Sequence, residues 1–202
     1  MAPLQSDEQL LQSMLGGDAQ AFEALYDRRQ GGIYRYALRM SGSPTIAEDV
    51  TQEVFLSLMR DHSGFQESRG TVKSYLYGMA RHRLFRRLER ERSLVSLTGS
   101  DEAMTGTAYA QIRDANDPFG ELLRNETIDV VRQAILSLPE NFREVVVLCY
   151  LQEMNYADAA EVIACPIGTV RSRLARARAL LMNKLSQLAS DTKTKVETEP
   201  AI

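Results

Sequence analysis

The sequence predicts an all-α protein with two small helical domains joined by a flexible linker, the C-terminal domain being a helix-turn-helix. Apolar residues recur every three or four positions over most of 6–92 and 126–185. This periodicity disappears over 93–125, where Gly, Ser, Thr and Asp dominate. Two short helical patterns also meet at a break near Pro166. We therefore predict domains at 5–92 and 126–185, a linker at 93–125 and a mobile tail at 186–202.

The first domain begins with ordinary bundle helices. Ser6 is expected to cap a helix over 6–15, with Gln9 as its capping-box partner. The Gly-Gly-Asp sequence at 16–18 ends that helix. The glycines at 31–32 are expected to break the next one, and the Ser-Gly-Ser-Pro turn at 41–44 ends the third. The apolar residues that recur along these helices predict a small helical core.

The helix predicted over 46–60 has an unusual polar face. Its buried stripe consists of Ile46, Val50, Val54 and Leu58. The opposite face carries Asp49, Gln52, Glu53 and Leu56. A leucine ringed by acids fits a docking surface for a basic protein partner, but a solvated charged face explains the same pattern. The spacing alone leaves both interpretations open.

A long basic helix is predicted over 71–92, and its buried side steps through Leu76, Ala80, Leu84 and Leu88. Residues 81–92 contain six arginines against two glutamates. The outer face, with Phe65 in the preceding loop, collects Tyr75, Met79, His82, Arg83, Arg86 and Arg90. Aromatic and flexible apolar groups among arginines suit unpaired bases and phosphates, whereas the simpler alternative is an exposed tyrosine on a basic helix.

The second domain is predicted to pack helices over 126–138 and 141–151 behind a helix-turn-helix at 155–181. Asn155 suits the cap of the first helix of that motif, with Asp158 three residues later. The second helix buries Val170, Leu174, Ala177 and Leu181. Residues 166–184 contain five basic residues and no acid. The outer face, Thr169, Arg171, Ser172, Arg173 and Arg176, therefore fits a major groove, although a solvated charged face is the alternative.

Composition argues against several other classes of protein. The chain of 202 residues is 44% hydrophobic and 25% charged with a net charge of −3, so it is not uniformly basic. No apolar run approaches membrane-spanning length, which predicts a cytoplasmic protein without membrane insertion. Cys149 and Cys165 are expected to be buried free thiols, and His62 and His82 are not spaced with them as zinc ligands. No catalytic constellation is present in the sequence, so we expect neither enzymatic activity, cofactor nor metal.

Four sequence blocks together resemble one protein family. AEDVTQEVF (47–55), SYLYGMARHRL (74–84), LPENFREVVVL (138–148) and GTVRSRLARAR (168–178) occur in that order. They resemble extracytoplasmic-function (ECF) sigma factors, the two-domain minimal form of the sigma-70 family. The resemblance covers about 5–185 outside the linker.

The resemblance implies a role for each surface. The helix with Asp49, Gln52 and Glu53 would dock on the coiled-coil clamp of the RNA polymerase β′ subunit. Residues 65–92 would capture flipped non-template bases of the minus-ten element during melting, and 168–178 would form the recognition helix for the minus-thirty-five element. The acidic linker would thread toward the RNA exit channel. The implied partners are core RNA polymerase (β′ clamp and β flap), promoter DNA and an anti-sigma factor.

Three positions depart from the family pattern. Tyr75 stands where the family usually has Trp, and His82 stands where it usually has Asn. Arg86 replaces an Asp that is common in the family. These departures put the preferred minus-ten bases in question. Two other functions compete: a stand-alone helix-turn-helix regulator with 1–92 as a sensor or dimerisation module, and an enzyme with an appended DNA-binding domain. The absence of a catalytic constellation argues against the second of these.

Overall fold

The computed structural model describes residues 5–60, 64–98 and 128–196, which contain α-helices, one 3-10 turn and one π-helical turn but no β-strand. The all-α prediction is confirmed. The predicted linker interior, 99–125, and the last six residues lie outside the described part of the chain. The elements are α1 (Asp7–Leu15), α2 (Ala19–Ser41), α3 (Pro44–Arg60), the 3-10 turn (Glu67–Arg69), α4 (Val72–Thr98), α5 (128–136), α6 (Glu140–Val146), the π turn (Val147–Leu151), α7 (Tyr156–Ile163) and α8 (Ile167–Val196).

Both predicted helix caps are present. The Ser6 hydroxyl accepts from the Gln9 backbone N–H at 3.2 Å, and the Gln9 side chain accepts from the Ser6 N–H at 2.9 Å. The Asn155 side chain accepts from the Asp158 backbone N–H at 2.8 Å. Each contact satisfies a backbone donor that the first helical turn leaves without an intrahelical partner.

The predicted break at Gly31–Gly32 is wrong, because α2 runs without interruption from Ala19 to Ser41. Two interior glycines cost about 1 kcal/mol each in helix propensity. Ile33 and Tyr36, in the turns that follow, are fully buried, and their burial offsets that cost. Local composition indicated a break, and tertiary packing overrode it.

Gly32 also leaves room for a neighbouring helix. A Cβ built on Gly32 would lie 2.7 Å from the Tyr77 hydroxyl oxygen of α4, whereas one on Gly31 would meet only the end of the Arg35 side chain, at 3.2 Å. Tyr77 is buried and donates to Gln152 Oε1 at 2.8 Å, so its ring cannot retreat freely. The second glycine is therefore required by packing.

Alanine at these two neighbouring positions should consequently have opposite effects. Gly31→Ala should raise the free energy of unfolding by up to about 1 kcal/mol through helix propensity. Gly32→Ala should lower it by about 1–2 kcal/mol, because overpacking displaces Tyr77 and its bond to Gln152. Guanidinium denaturation followed by circular dichroism measures both. Equal stabilisation by the two substitutions would contradict the packing argument.

The long helices extend beyond the predicted domain limits. α4 continues to Thr98 rather than ending at residue 92, and α8 continues to Val196, into the predicted mobile tail. Neither extension contains Gly or Pro, so nothing in the local sequence stops the helix. In contrast, the helix predicted over 141–151 is α6 followed by the π turn, Val147–Leu151.

One hydrophobic core connects the N-terminal and C-terminal helices. It includes Leu25 and Val54 of the first predicted domain and Val147, Ile163 and Leu174 of the second. α4 packs against α7, while α2 packs against α6 and the π turn. The two predicted domains therefore share a buried interface in this structure.

Candidate polymerase and nucleic-acid interfaces

The polar face of α3 lies where the sequence predicted it. Ile46, Val50, Val54 and Leu58 are buried, which turns Asp49, Gln52, Glu53 and Leu56 outward. Leu56 is 49% exposed and Met59, one turn further along, is 57% exposed. This apolar pair at the end of an acidic helix face is suited to protein contact. Sequence analysis missed Met59. Its spacing of three residues from Leu56 could have placed it on the same helix face.

The acidic face of α3 is tied to the basic face of α4. Arg87 forms ion pairs with Asp49 and with Glu53, the latter at 3.4 Å. Arg83 lies 3.9 Å from Glu53 and also donates to the Ser57 hydroxyl. The side chains of Asp49 and Glu53 remain 36% and 52% exposed, so these ion pairs stabilise the fold weakly. Their geometry leaves both carboxylates available at the surface.

The predicted minus-ten residues line a cleft at the start of α4. Its volume is about 650 Å³, and its walls include Phe65, Tyr75, Met79, His82 and Arg83. The half-buried rings of Phe65 and Tyr75 pack edge to face with centroids 5.6 Å apart. The cleft thus combines two aromatic rings, a thioether and a guanidinium, which are groups that stack on bases and bind phosphate.

The remaining predicted arginines lie beside this cleft. Arg86 and Arg90 are exposed and line a second, smaller depression together with Arg87. Arg83 touches both depressions. The cleft and the basic stripe therefore form one continuous surface along α4.

The helix-turn-helix has the predicted inner and outer faces. Val170, Leu174 and Ala177 are buried, while Leu181 is half-buried. Between α7 and α8 the chain turns at Ala164, which adopts a left-handed conformation with φ 56°. On the outer face, Arg171, Ser172 and Arg176 are exposed, and Thr169 and Arg173 are half-buried.

Two tyrosines orient arginines of this helix. The Arg171 guanidinium carbon lies 6.0 Å from the centre of the Tyr156 ring. The Arg178 guanidinium stands over the Tyr150 ring at 5.3 Å and donates to its hydroxyl. These cation–π contacts pre-order long side chains that would otherwise lose rotamer entropy on binding.

A buried polar cluster joins the two halves of the chain. Glu144 of α6 is 2% exposed and accepts hydrogen bonds from the Tyr36 hydroxyl at 3.1 Å and from Arg81 Nε at 2.7 Å. Burial raises the pKa of Glu144 above its ordinary value, opposed by the charge of Arg81. Burial also raises the pKa of Tyr77 to about 12, so Tyr77 is a neutral donor to Gln152 at pH 7.

Sequence analysis missed this interdomain cluster. The feature of the sequence that could have indicated it is Glu144, an acid directly before the apolar residues VVVL. An acid in such a position needs a polar partner, but sequence alone does not identify Tyr36 and Arg81, 108 and 63 residues away.

The other chemical expectations concern cysteines, metals and membranes. Cys149 and Cys165 are free thiols, as predicted, but both are half-buried rather than buried. Burial raises the pKa of Cys149 to about 11. Over 5–60, 64–98 and 128–196, no acidic, histidine and cysteine side chains cluster as metal ligands would. None of the described helices has the length and apolarity to cross a bilayer.

Comparison with known families matches the two halves of the chain separately. Residues 25–94 match sigma-70 region 2, and residues 128–181 match sigma-70 region 4. The first match contains α3 and most of α4, with the aromatic residues of the cleft, and the second contains α7 and the first half of α8.

Curated relatives and solved structures agree with these matches. The ECF sigma factor SigW of Bacillus subtilis is 30% identical over 174 residues, which cover 85% of this chain and 92% of SigW. The sigma-H factor of Pseudomonas aeruginosa is 31% identical, over 93% of this chain and 98% of its own. The fold is similar to that of CnrH in complex with the cytosolic domain of CnrY (TM-score 0.64, 23% identity, 93% of this chain and 99% of that one). It is also similar to Bartonella quintana RpoE bound to the anti-sigma factor NepR (TM-score 0.62, 22% identity, 78% and 91%).

The two matched regions, their order along the chain and the curated relatives therefore all indicate the same family. The chain belongs to the extracytoplasmic-function sigma factors of the sigma-70 family, the alternative sigma subunits that direct bacterial RNA polymerase to promoters.

Proposed function

We propose that this sigma factor uses three separate surfaces to begin transcription. The exposed face of α3 (Asp49, Gln52, Glu53 and Leu56) docks on core RNA polymerase at the β′ clamp, while the second domain meets the β flap. The cleft of α4 captures minus-ten bases, and the outer face of α8 reads the minus-thirty-five element. The observation that carries the proposal is the cleft beside an arginine stripe, with two aromatic rings 5.6 Å apart.

The arrangement supports a division between melted and duplex DNA. Aromatic rings recognise base faces, which only an unpaired strand exposes. The exposed Arg171, Ser172 and Arg176 lie on one side of a single helix, which suits base edges in a major groove. A stand-alone helix-turn-helix regulator would need only the second of these surfaces, so the cleft favours the sigma function.

The proposal includes an anti-sigma partner, a cytoplasmic location and no catalysis by the chain itself. NepR, named in the complex with a related sigma factor, supports the first of these. The proposed domains are 5–92, 126–185 and a connecting segment over 93–125. Co-purification with core polymerase, followed by run-off transcription from a promoter library, tests the function as a whole. Failure to bind core polymerase would refute it.

The recognition helix is tested by Arg176→Ala. Loss of a base-contacting arginine should reduce binding to the preferred minus-thirty-five sequence by about 1–3 kcal/mol and relax the preference at one position. Run-off transcription from the library measures both effects. Arg178→Ala is the matched control, because Arg178 is bound to Tyr150 and should leave the preference unchanged. Equal results for the two variants would show that α8 is oriented differently on DNA.

A further inference from the structure

The surfaces that we propose for polymerase and for DNA meet in four charged residues of α3 and α4. Arg87 of α4 forms ion pairs with Asp49 and with Glu53 of α3, the second at 3.4 Å. Arg83 of α4 lies 3.9 Å from the same Glu53 carboxylate. Both carboxylates of the polymerase face are thus paired with arginines of the helix that carries the DNA surface. We call these four residues the charge cluster.

Arg87 belongs by position to the basic stripe of α4, although sequence analysis gave it no role. It lines the same depression as Arg86 and Arg90. Within the described residues Arg86 and Arg90 form no ion pair, whereas Arg87 is paired with two carboxylates. The basic stripe therefore contains one arginine whose charge is neutralised by the neighbouring helix.

The ion pairs of Arg87 are easily exchanged. Its side chain is 36% exposed, as is that of Asp49, and the side chain of Glu53 is 52% exposed. Exposed ion pairs are weak because water screens both charges. Arg83, in contrast, is 20% exposed and also donates to the Ser57 hydroxyl, so a second contact holds it in place without Glu53. Arg87 is therefore the member of the charge cluster that an external partner can release.

A basic partner that docks on α3 competes with Arg87 for its two carboxylates. When the partner binds Asp49 and Glu53, the guanidinium loses its counter-charges but remains on the basic stripe. Its charge then adds to those of Arg86 and Arg90, and each further charge on such a stripe strengthens the attraction of DNA phosphates. Coupling of this kind is reciprocal, so DNA bound on α4 strengthens docking on α3 by the same factor.

We infer that Arg87 is a further DNA-binding residue, which Asp49 and Glu53 neutralise in the free chain and which core polymerase releases by binding both carboxylates. The inference rests on the proposed function, because it places polymerase on α3 and DNA on α4. All four residues of the charge cluster lie within residues 25–94, the part that matches sigma-70 region 2. The two surfaces are therefore coupled by side chains of one domain, without any movement of the other.

Arg87→Gln should change two affinities in opposite directions. Core polymerase should bind the variant about 2–5-fold more tightly, because Asp49 and Glu53 no longer have to leave a guanidinium. The resulting holoenzyme should bind a premelted promoter at least about 3-fold more weakly, and less steeply with salt concentration, because one phosphate contact is lost. Titration of the fluorescently labelled chain with core polymerase gives the first affinity, and anisotropy of a labelled promoter gives the second.

Arg86→Gln is the matched control, one residue earlier on the same helix. Arg86 lines the same depression but forms no ion pair with α3 in the described part of the chain. Its substitution should weaken DNA binding by the free chain and by the holoenzyme alike, and should change the affinity for core polymerase less than about 2-fold. Arg87→Gln should leave binding of a fluorescein-labelled single-stranded DNA 12-mer by the free chain within about 2-fold of wild type, because that charge is already neutralised there.

A double-mutant cycle in the free chain tests whether the ion pairs cause the effect. Asp49→Asn with Glu53→Gln should tighten binding of the 12-mer about 3-fold or more in the Arg87 chain, but less than about 2-fold in the Arg87→Gln chain. Glu48→Gln removes an exposed acid next to Asp49 for which the described residues offer no ion-pair partner. Its effect should be small and equal in both chains.

Each arm has a result that would overturn the inference. Weaker binding of Arg87→Gln to core polymerase would mean that Arg87 supports docking directly. Wild-type promoter affinity of its holoenzyme would mean that Arg87 does not bind DNA, and equal tightening in both chains of the cycle would mean that the acids act only by general repulsion. If the wild-type chain itself fails to bind core polymerase, the proposed function fails instead, so the two failures are distinguishable.

Discussion

Arg81→Ala should lower the free energy of unfolding by about 3 kcal/mol, because removing one partner of a buried ion pair leaves the other charge uncompensated. Glu144 is 2% exposed and would retain only the Tyr36 hydroxyl, 3.1 Å away, as a donor. Arg81 itself is 33% exposed, which places the estimate at the low end of the range for buried pairs. The expected result is a lower denaturation midpoint and faster hydrogen exchange in α6.

Arg92→Ala is the matched control on the same helix. Arg92 also pairs with a glutamate of the second domain, Glu140, at 3.2 Å, but its side chain is 68% exposed. An exposed ion pair contributes about 0–1 kcal/mol, so this substitution should have a small effect. The double variant Arg81→Ala with Glu144→Gln should recover part of the loss, since a neutral amide tolerates burial better than a carboxylate. No recovery would argue that Arg81 acts by packing on Phe85, whose ring lies 4.8 Å from its guanidinium.

The Arg81→Ala effect should depend on pH in a defined direction. Burial raises the pKa of Glu144 above its ordinary value of 4.5, while Arg81 lowers it and nearby Glu140 raises it. Tyr36 faces the same carboxylate and is neutral, because burial raises its own pKa. For a group with a raised pKa, the stabilisation is complete below the unfolded-state value and is lost as pH rises through the folded-state value. Without Arg81 the pKa of Glu144 rises further. The loss of unfolding free energy caused by Arg81→Ala should therefore be largest at pH 7 and should shrink toward pH 4.5.

Local patterns predicted most helix faces correctly, because each face is determined by the spacing of its own residues. The three-four spacing of Val50, Val54 and Leu58 identified the buried side of α3, and all three are buried. The outer face of α8 followed from the same kind of argument. The caps at Ser6 and Asn155 were also predictable, since a cap joins residues two or three positions apart.

Contacts between distant segments could not be predicted in this way. The continuity of α2 depends on burial of Ile33 and Tyr36 against other helices, which local glycine content cannot reveal. The bond between Ser74 and Glu161 joins residues 87 positions apart, and nothing in either local pattern distinguishes Glu161 from a solvated glutamate. Sequence therefore predicted the exposed faces of α4 and α8 that we propose contact DNA, but not the packing of α7 against α4.

Tyr75→Ala should slow promoter opening by the holoenzyme about 10-fold or more, since stacking one base on an aromatic ring is worth about 1–3 kcal/mol. Tyr75 lines the cleft with Met79, and its ring packs on Phe65 at 5.6 Å. Base faces are hidden in a duplex, so closed-complex binding at low temperature should hardly change. Stopped-flow 2-aminopurine fluorescence gives the opening rate, and permanganate footprinting identifies the unpaired bases.

Two controls assign the defect to stacking on melted DNA. Tyr75→Phe keeps the ring and should open promoters at nearly the wild-type rate, which excludes the hydroxyl as the main contributor. A premelted promoter should partly rescue Tyr75→Ala, because the cost of unpairing, a few kcal/mol, has already been met. If Tyr75→Ala opens linear duplex promoters normally, Tyr75 is a packing residue for Phe65, and the capture of minus-ten bases passes to Phe65 and the loop around it.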